Sequence, residues 1–257
     1  MRTFILFLAA LISVAIPAFA QDEEPTTPPA PAVKTFSDAD RAAIEDIVRD
    51  YLTVKHPEVL MDAMKELQRR DQATAENKSK EAISTAKDEI YNSTVLPVGG
   101  NAKGDVTVVE FFDYQCGYCK MSQDGIDKLL KGDKNVRFVY KEFPILGPMS
   151  VTAAKAAFAS ARQGKYIKFH DALMAKKDHL TDDIIYQTAK DSGLDVEKLK
   201  KDMNDDATSK HVDESLKLGQ QVGVRGTPMF IIGEQVYPGA LQYEQLKKAV
   251  DDARTKK

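Results

Sequence analysis

The chain has 257 residues, a formal net charge of −3 and 29% charged residues. It has no basic face and no alternation of basic and aromatic residues, so nothing indicates a nucleic-acid partner. The length suffices for one sizeable domain and an appendage. Only two cysteines are present, so disulfide bonds are not general structural links in this chain. The four histidines, His56, His170, His179 and His211, lack the spacing of metal ligands.

Residues 1–20 are typical of a secretory signal peptide. Arg2 provides a basic start, an apolar core runs from Phe4 to Ile16, and residues 18–20 form a small-x-small cleavage site. The apolar core is short for a membrane span, although an uncleaved anchor is the alternative. The sequence therefore predicts an exported protein, which in a bacterium means the periplasm.

Residues 21–36 contain four prolines after acidic residues, a composition that predicts an extended, disordered tether. Ser37 then begins a capping pattern for a helix. Apolar residues follow at helical spacing from Ile44 to Leu52 and, after a His-Pro break, from Leu60 to Leu67. The sequence therefore predicts a helical segment over residues 37–67.

Residues 68–92 keep a helix-forming composition but lack large apolar side chains until Ile83, which predicts a polar helical linker. The two short helices before this linker cannot bury their apolar faces alone. Those faces can pack on the rest of the chain or on another copy of themselves. Because a polar linker separates them from the rest of the chain, we expect a homo-oligomer that forms through residues 37–67.

Both cysteines lie in one short stretch, Cys116-Gly-Tyr-Cys119. An apolar run from Val106 to Phe112 predicts a strand before it, and residues 121–130 predict a helix after it. A thiol at a helix N-terminus has a lowered pKa because the helix dipole and free N–H groups stabilise its thiolate. Cys116 can then attack a disulfide, and Cys119 can release the bound partner. Two alternatives remain, an inert structural disulfide and half of a zinc site shared between two subunits.

Residues 136–141 predict a second strand, parallel to the first because a helix connects the two. Only helices are predicted from 147 to 222, and His170 and His211 are interpreted as ordinary helix positions. Thr227-Pro228 then opens a strand, a place that suits a cis bond in a tight turn. A hairpin strand and a closing helix complete the chain.

This order of elements resembles a thioredoxin fold with an inserted all-helical domain. Residues 110–119 and the Gly-Thr-Pro at 226–228 resemble the DsbA-like thiol–disulfide oxidoreductases of the bacterial periplasm, over nearly all of the chain after the linker. The resemblance implies an α/β fold. It has a thioredoxin-like domain at 93–146 and 223–257, an inserted helical domain at 147–222, and the N-terminal helical oligomerisation segment in front.

The resemblance also implies roles for five catalytic residues. Cys116 corresponds to the surface nucleophile, and Cys119 to the more buried thiol that resolves mixed disulfides. Pro228 corresponds to the cis-proline beside the sulfurs, and Thr227 before it offers backbone groups to an extended substrate. Glu110 corresponds to a buried acid near Cys119 that relays a proton.

Glu110 has a simpler interpretation too, as a polar residue tolerated on a partly exposed strand, and Lys141 on the next strand is a candidate ion-pair partner. Gly117 and Tyr118 form the dipeptide that tunes the reduction potential in such motifs. The resemblance implies no metal and no cofactor beyond a redox-active disulfide between the two cysteines.

The N-terminal helices resemble the oligomerisation segment of the ScsC group, and the Gly-Tyr dipeptide and Thr227 resemble DsbC-type isomerases. The first hypothesis is an oligomeric disulfide isomerase, or a bifunctional isomerase and oxidase, in the periplasm. Its partners would be exported cysteine-containing proteins and a membrane redox protein. The second is a DsbA-like dithiol oxidase that introduces disulfides. The third is a copper(I)-sequestering or chaperone-like binding module.

Overall fold

The computed structural model of the chain describes residues 36–92 and 97–255. The predicted signal peptide and the predicted tether, apart from Phe36, lie outside these described residues. The described chain falls into two compact units, one that ends at Asp62 and one that begins at Ala63. The domain boundaries deduced from the sequence remain predictions.

The first unit is helical, as predicted. Helix α1 spans Asp38–Asp50 and begins with a complete capping box, in which the Ser37 hydroxyl accepts from the backbone N–H of Asp40 and the Asp40 carboxylate accepts from the backbone N–H of Ser37. A π-helical turn, Tyr51–Lys55, continues it. Helix α2 then begins at Glu58. No residue of α1 is buried, so its apolar side chains are open to solvent within the single chain.

Helix α2 continues to Thr85, and a short helix α3 spans Lys87–Tyr91. The predicted linker is therefore helical, but its C-terminal half packs on the sheet within the second unit instead of standing apart. Ile83 and Ile90 are buried there, in a cluster with strand residues of the sheet. The Ser79 hydroxyl also donates to the carbonyl oxygen of Val222 at 2.7 Å.

The C-terminal end of α3 is fastened to the sheet by two basic residues. Arg137 Nη1 donates to the carbonyl oxygen of Tyr91 at 2.6 Å, and Lys141 Nζ donates to the carbonyl oxygen of Glu89 at 2.6 Å. Carbonyl groups in the last turn of a helix have no partner within the helix. The two side chains supply that partner and hold the helix end in place.

The second unit is built on a mixed five-stranded sheet in the order β1-β3-β2-β4-β5. Strands β2 and β3 are parallel and form the predicted β–α–β unit, whereas the other neighbouring pairs are antiparallel. The strand bounds are Gly99–Gly100 (β1), Val106–Phe112 (β2), Val136–Glu142 (β3), Met229–Ile232 (β4) and Gln235–Pro238 (β5).

Seven helices of the described chain surround this sheet, and those between β3 and β4 form the predicted helical insertion. Four of these helices, α4, α7, α8 and α9, begin with a side-chain cap; Thr181, for example, accepts the backbone N–H of Ile184 at the start of α7. The helix bounds are Gly117–Gly132 (α4), Pro148–Ala161 (α5), Tyr166–Met174 (α6), Asp182–Asp191 (α7), Val196–Met203 (α8), Asp206–Gln221 (α9) and Tyr243–Thr255 (α10).

The two faces of the sheet are covered differently. Because side chains alternate along a strand, Val108 and Phe112 point into the larger core, which the insertion shares with α4 and α10. Val109 and Phe111 point into the smaller core, which contains residues of α3 and α9. Within residues 36–92 and 97–255, no helix combines the length and apolar character needed to cross a membrane.

Candidate active site

The two cysteines lie at the start of α4, where the sequence predicted them. Cys116 is the N-cap residue, and its sulfur accepts a hydrogen bond from the backbone N–H of Cys119 at 3.3 Å. Both thiols are free. Cys116 keeps 5% of its surface exposed and Cys119 none, so Cys116 is the thiol that a partner can reach.

The surroundings separate the two thiols electrostatically. A hydrogen bond with the Cys119 side chain, followed by one with Thr227 and by the backbone N–H groups of Cys119 and Tyr118, lowers the pKa of Cys116 to about 6. At pH 7 roughly nine-tenths of Cys116 is then thiolate. Burial first, and then the hydrogen bond with Cys116 and the charge of Glu110, raise the pKa of Cys119 above its ordinary value.

The loop before β4 reaches the same sulfur. The Thr227–Pro228 peptide bond is cis, as predicted. Cys116 Sγ lies 3.2 Å from the carbonyl oxygen of Thr227, to which the thiol donates when it carries its proton. The structure thus brings Cys116, Cys119, Thr227 and Pro228 together, although their catalytic roles remain predictions.

Glu110 is completely buried in the middle of β2, so its interpretation as a residue on a partly exposed strand is wrong. Neither of its carboxyl oxygens has a hydrogen-bond partner among the described residues. Burial, and to a smaller degree the charge of Cys116, raises the pKa of Glu110 to about 8. A carboxyl group with this pKa can exchange a proton near neutral pH.

The suggested pairing of Glu110 with Lys141 is wrong. Glu110 lies opposite Tyr140 in the register of β2 and β3, and Lys141 lies opposite Phe111. Since successive side chains of a strand point to opposite faces, Lys141 belongs to the other face of the sheet. There its ammonium group donates to the carbonyl oxygen of Glu89.

The dipeptide between the cysteines is open to solvent. Tyr118 is 64% exposed, and a Cβ atom placed on Gly117 would meet no atom within 4 Å. Substitutions at either position therefore alter the surroundings of the Cys116 sulfur without disturbing the packing. Their influence on the reduction potential remains a prediction.

Asp113, which is not among the predicted site residues, organises the turn before Cys116. Its buried carboxylate accepts the backbone N–H of Gln115 at 2.8 Å and those of Ile145 and Leu146 at 2.9 and 3.0 Å. The turn is thereby joined to the loop after β3. An Asp that bonds the N–H two residues on is a common turn signal, so this local contact was legible in the sequence.

His170 is more than an ordinary helix position. It is fully buried, and its Nδ1 lies 3.0 Å from the hydroxyl of Tyr114, two residues before Cys116. The rings of Tyr140 and Phe112 pack against it, with centroids at 4.6 and 4.9 Å. Burial lowers the pKa of His170 to about 4, so the imidazole is neutral at pH 7. It therefore supports the active-site turn.

His211 takes part in a second buried polar group, around Glu142. The Tyr166 hydroxyl donates to Glu142 Oε1 at 2.7 Å, and His211 Nε2 lies 3.5 Å from Oε2. The Ser215 hydroxyl donates to the backbone carbonyl of Glu142 at 2.6 Å. These contacts join the end of β3 to α6 and α9.

In the part of the chain that the structure describes, no three His, Cys, Asp or Glu side chains form a candidate metal cluster.

A β–α–β unit that presents two thiols at a helix N-terminus, beside a cis-proline, defines a thioredoxin-like domain. The chain belongs to the DSBA-like thioredoxin domain family, whose model matches residues 107–251. Residues 40–74 match the model of the copper resistance protein ScsC N-terminal domain. The predicted fold class and the predicted family are therefore confirmed.

Solved structures agree with this membership. A thioredoxin-like oxidoreductase from Silicibacter pomeroyi DSS-3 is 43% identical, covers 65% of this chain and 97% of its own, and has a TM-score of 0.63. Proteus mirabilis ScsC in a transitional conformation is 27% identical, covers 86% of this chain and 100% of its own, and has a TM-score of 0.64. The second similarity extends into the N-terminal helices.

A curated relative is much longer than this chain. The Na(+)/H(+) antiporter NhaA 3 of Salinispora tropica is 30% identical over 158 residues, which are 61% of this chain and 24% of the antiporter. The chain thus spans about a quarter of the length of the antiporters that it matches. Sodium–proton exchange is named for those proteins, and the similarity concerns only the shared part.

Proposed function

We propose that the protein is a thiol–disulfide oxidoreductase of the DsbA/ScsC type. One observation carries the proposal: Cys116 is the accessible thiol at the start of α4, and its pKa is lowered to about 6 by hydrogen bonds from its surroundings. A thiolate at neutral pH is the nucleophile in thiol–disulfide exchange. Cys119 lies one turn away, so it can complete the exchange.

The exchange with a substrate disulfide proceeds in two substitutions. The Cys116 thiolate attacks one substrate sulfur, the substrate S–S bond breaks, and the released substrate thiolate takes up a proton. Cys119 then loses its proton and attacks the Cys116 sulfur, which releases the second substrate thiolate and leaves the Cys116–Cys119 disulfide. Two electrons pass to the substrate, and the reverse sequence oxidises a substrate dithiol.

Glu110 is the proposed acceptor of the Cys119 proton. The charge of Cys116 contributes to the raised pKa of Glu110. In the mixed disulfide Cys116 carries no charge, so the pKa of Glu110 falls and a larger fraction of the carboxyl group is able to accept a proton. Glu110 then acts at the step in which the buried Cys119 must be deprotonated.

The proposed setting is the periplasm, reached through a cleavable signal peptide at residues 1–20. The proposed substrates are exported proteins that contain cysteines, and a membrane redox protein would restore the working oxidation state of the pair. The periplasm is an oxidising compartment. A chain with only two cysteines can keep both of them for redox chemistry there, which supports the periplasm as the setting.

The proposed assembly is a homo-oligomer held together through residues 37–67. Its support is a set of apolar side chains at helical spacing that are open in the single chain, among them Ile47 at 67% and Val54 at 70% exposure. An oligomer can direct several active sites toward a shared space and shelter them from an oxidising partner. We therefore propose an oligomeric disulfide isomerase, or a bifunctional isomerase and oxidase.

One observation favours a DsbA-like dithiol oxidase as the second candidate. The hydrogen bonds that lower the pKa of Cys116 stabilise the reduced, thiolate form of the pair. A disulfide whose reduced form is stabilised is a stronger oxidant. If the protein is a dithiol oxidase, the N-terminal helices take no part in thiol–disulfide exchange.

The decisive experiment is the reactivation of a scrambled-disulfide protein under mildly reducing conditions, followed together with oligomeric state. Ile47→Asp places a charge on the exposed apolar side of α1. Ala42→Asp adds the same charge about 140° away around the helix and is the matched control. We expect Ile47→Asp to yield smaller particles that no longer reshuffle disulfides, whereas Ala42→Asp behaves as the wild type.

The oxidase version predicts a different outcome. Both variants would oxidise a reduced substrate at the wild-type rate, and none of the three proteins would reactivate the scrambled one. If Cys116→Ser retains activity in both assays, the oxidoreductase proposal itself is wrong.

A further inference from the structure

A groove runs between helix α2 and the loop that contains the cis-proline. Its volume is about 640 Å³, within the range of about 300–1,000 Å³ that is typical of ligand sites. All of the residues that line it belong to the unit beginning at Ala63. Helix α2 forms one wall with Gln72, Ala75 and Glu76, and Thr227, Met229 and Val236 lie on the other side.

The α2 wall is held firmly beside this loop. Ser79, one turn after Ala75, donates to the carbonyl oxygen of Val222 at 2.7 Å. A Cβ atom placed on Gly223 would lie in ordinary van der Waals contact with the Ser79 side chain, at 3.7 Å. Ile83, a further turn along, is buried in the smaller core. The wall is therefore a fixed part of the unit that carries the cysteines.

The groove borders the loop that contacts the reactive sulfur. Thr227 lines the groove, and its carbonyl oxygen lies 3.2 Å from Cys116 Sγ. A polypeptide whose cysteine reaches Cys116 therefore comes close to Thr227. Since an extended chain advances about 3.3 Å per residue, the residues next to that cysteine then enter the groove.

The two sides of the groove suit an extended polypeptide. The half-buried Val236 and the edge of the largely buried Met229 line the sheet side, and Gln72 and Glu76 are exposed polar residues on the helix side. An extended chain presents side chains in alternating directions and carries N–H and C=O groups between them. Apolar side chains can pack on the sheet side while polar groups of the chain meet the helix.

We propose that α2 is part of the substrate-binding surface, and that Gln72, Ala75 and Glu76 contact the extended segment next to the reacting cysteine of a polypeptide substrate. The inference rests on the proposed function and adds a specificity element outside the family's thioredoxin-like domain. It predicts that α2 distinguishes polypeptide thiols from small thiols, which react with Cys116 without entering the groove.

The test compares two thiols that react with the oxidised full-length protein. One is a peptide of about twelve residues with a central cysteine, long enough to fill the groove at about 3.3 Å per residue. The other is the tripeptide glutathione. In each reaction the thiolate attacks Cys116, the Cys116–Cys119 bond breaks, and Cys119 leaves as the thiolate. Rate constants for mixed-disulfide formation are measured by rapid mixing.

Ala75→Trp narrows the groove, and Ala73→Trp is the matched control because Ala73 is exposed on the same helix and outside the groove. We expect Ala75→Trp to slow the peptide about tenfold, which corresponds to about 1.4 kcal/mol, and to leave the glutathione rate within about twofold. Ala73→Trp should leave both rates unchanged. Gln72→Trp, at an exposed position in the wall, serves as a second variant if Ala75→Trp disturbs the docking of α2.

Equal slowing of both thiols by the wall variants, or no slowing of either, overturns the inference while the proposed function stands. Slowing of the peptide by Ala73→Trp as well would also overturn it, since the effect would not be confined to the groove. If the wild-type protein reacts with neither thiol, the proposed function fails and the inference fails with it.

Discussion

Two buried glutamates on the same face of the sheet differ in their hydrogen-bond partners. Glu142, at the end of β3, is surrounded by donors: the Tyr166 hydroxyl at 2.7 Å and His211 Nε2 at 3.5 Å from its carboxyl group. Glu110, in the middle of β2, is equally buried but has no hydrogen-bond partner within the described residues. Residue type, strand face and burial are shared, so only the partners differ.

The difference shows how the same type of side chain can stabilise the packing at one position and exchange protons at another. A carboxyl group that accepts hydrogen bonds joins the elements that supply the donors, as Glu142 joins β3 to α6 and α9. A carboxyl group without donors favours its neutral form, which moves its pKa toward neutral pH. The unpartnered glutamate is the one that interacts with both cysteines.

Removal of the partnered glutamate should have the largest effect. Glu142→Ala leaves the buried Tyr166 hydroxyl without its acceptor and opens a cavity, so we expect the free energy of unfolding to fall by about 3 kcal/mol. Urea denaturation at pH 7 measures the loss. Glu142→Gln keeps an acceptor oxygen and should lose about 1 kcal/mol. An equal loss of unfolding free energy in the two variants would contradict this prediction, because the hydrogen bonds to the Glu142 carboxyl group would then not contribute to stability.

Glu110→Gln should change how stability depends on pH. Because the pKa of Glu110 rises from 4.5 to about 8, the folded protein keeps a proton that the unfolded chain releases between those values. Glu110 therefore lowers the free energy of unfolding of the wild type by up to about 1.4 kcal/mol for each pH unit as the pH rises through that window.

The measurement is the difference in unfolding free energy between Glu110→Gln and the reduced wild type, determined from pH 4.5 to 8. The difference removes contributions that both proteins share, such as that of His170. We expect it to grow in favour of the variant as the pH rises. A difference that stays constant over this range would show that Glu110 does not titrate there.

The smallest effect should come from the charge of Cys116. Cys116→Ser removes the second cause of the raised pKa of Glu110 and leaves burial, the first cause, in place. We expect the pKa of Glu110 to fall by about one unit or less and to stay above 4.5. The carboxyl band in infrared spectra reports the titration, and Glu110→Gln assigns the band. A fall all the way to 4.5 would mean that burial contributes little.

Local patterns were sufficient for the elements around the two cysteines. The apolar run before Cys116 predicted β2, the helix-compatible run at 121–130 predicted α4, and the Thr-Pro pair predicted the cis bond before β4. Each of these signals spans only a few residues, so no knowledge of the packing was needed. The alternation rule also places Glu110 and Lys141, but only when the register of β2 and β3 is known, and a difference of one residue moves a side chain to the other face.

Contacts between distant residues were not legible in this way. Tyr114 and His170 are 56 residues apart, and Glu142 and His211 are 69 apart. The docking of α2 was missed for another reason. Its contact face begins with the small residues Ala75 and Ser79, which the expectation of a large apolar stripe does not detect.

The fastening of α3 to the sheet has a consequence for how such chains can be recombined. A crossover just before β1 would separate Ile83 and Ile90 from the smaller core and would free the carbonyl groups that Arg137 and Lys141 hold. A crossover upstream of Ala75 would exchange the N-terminal helices and keep every one of those contacts. The structural unit that carries the cysteines therefore includes the last turns of α2. In hybrids of related chains, the junction should lie before these turns.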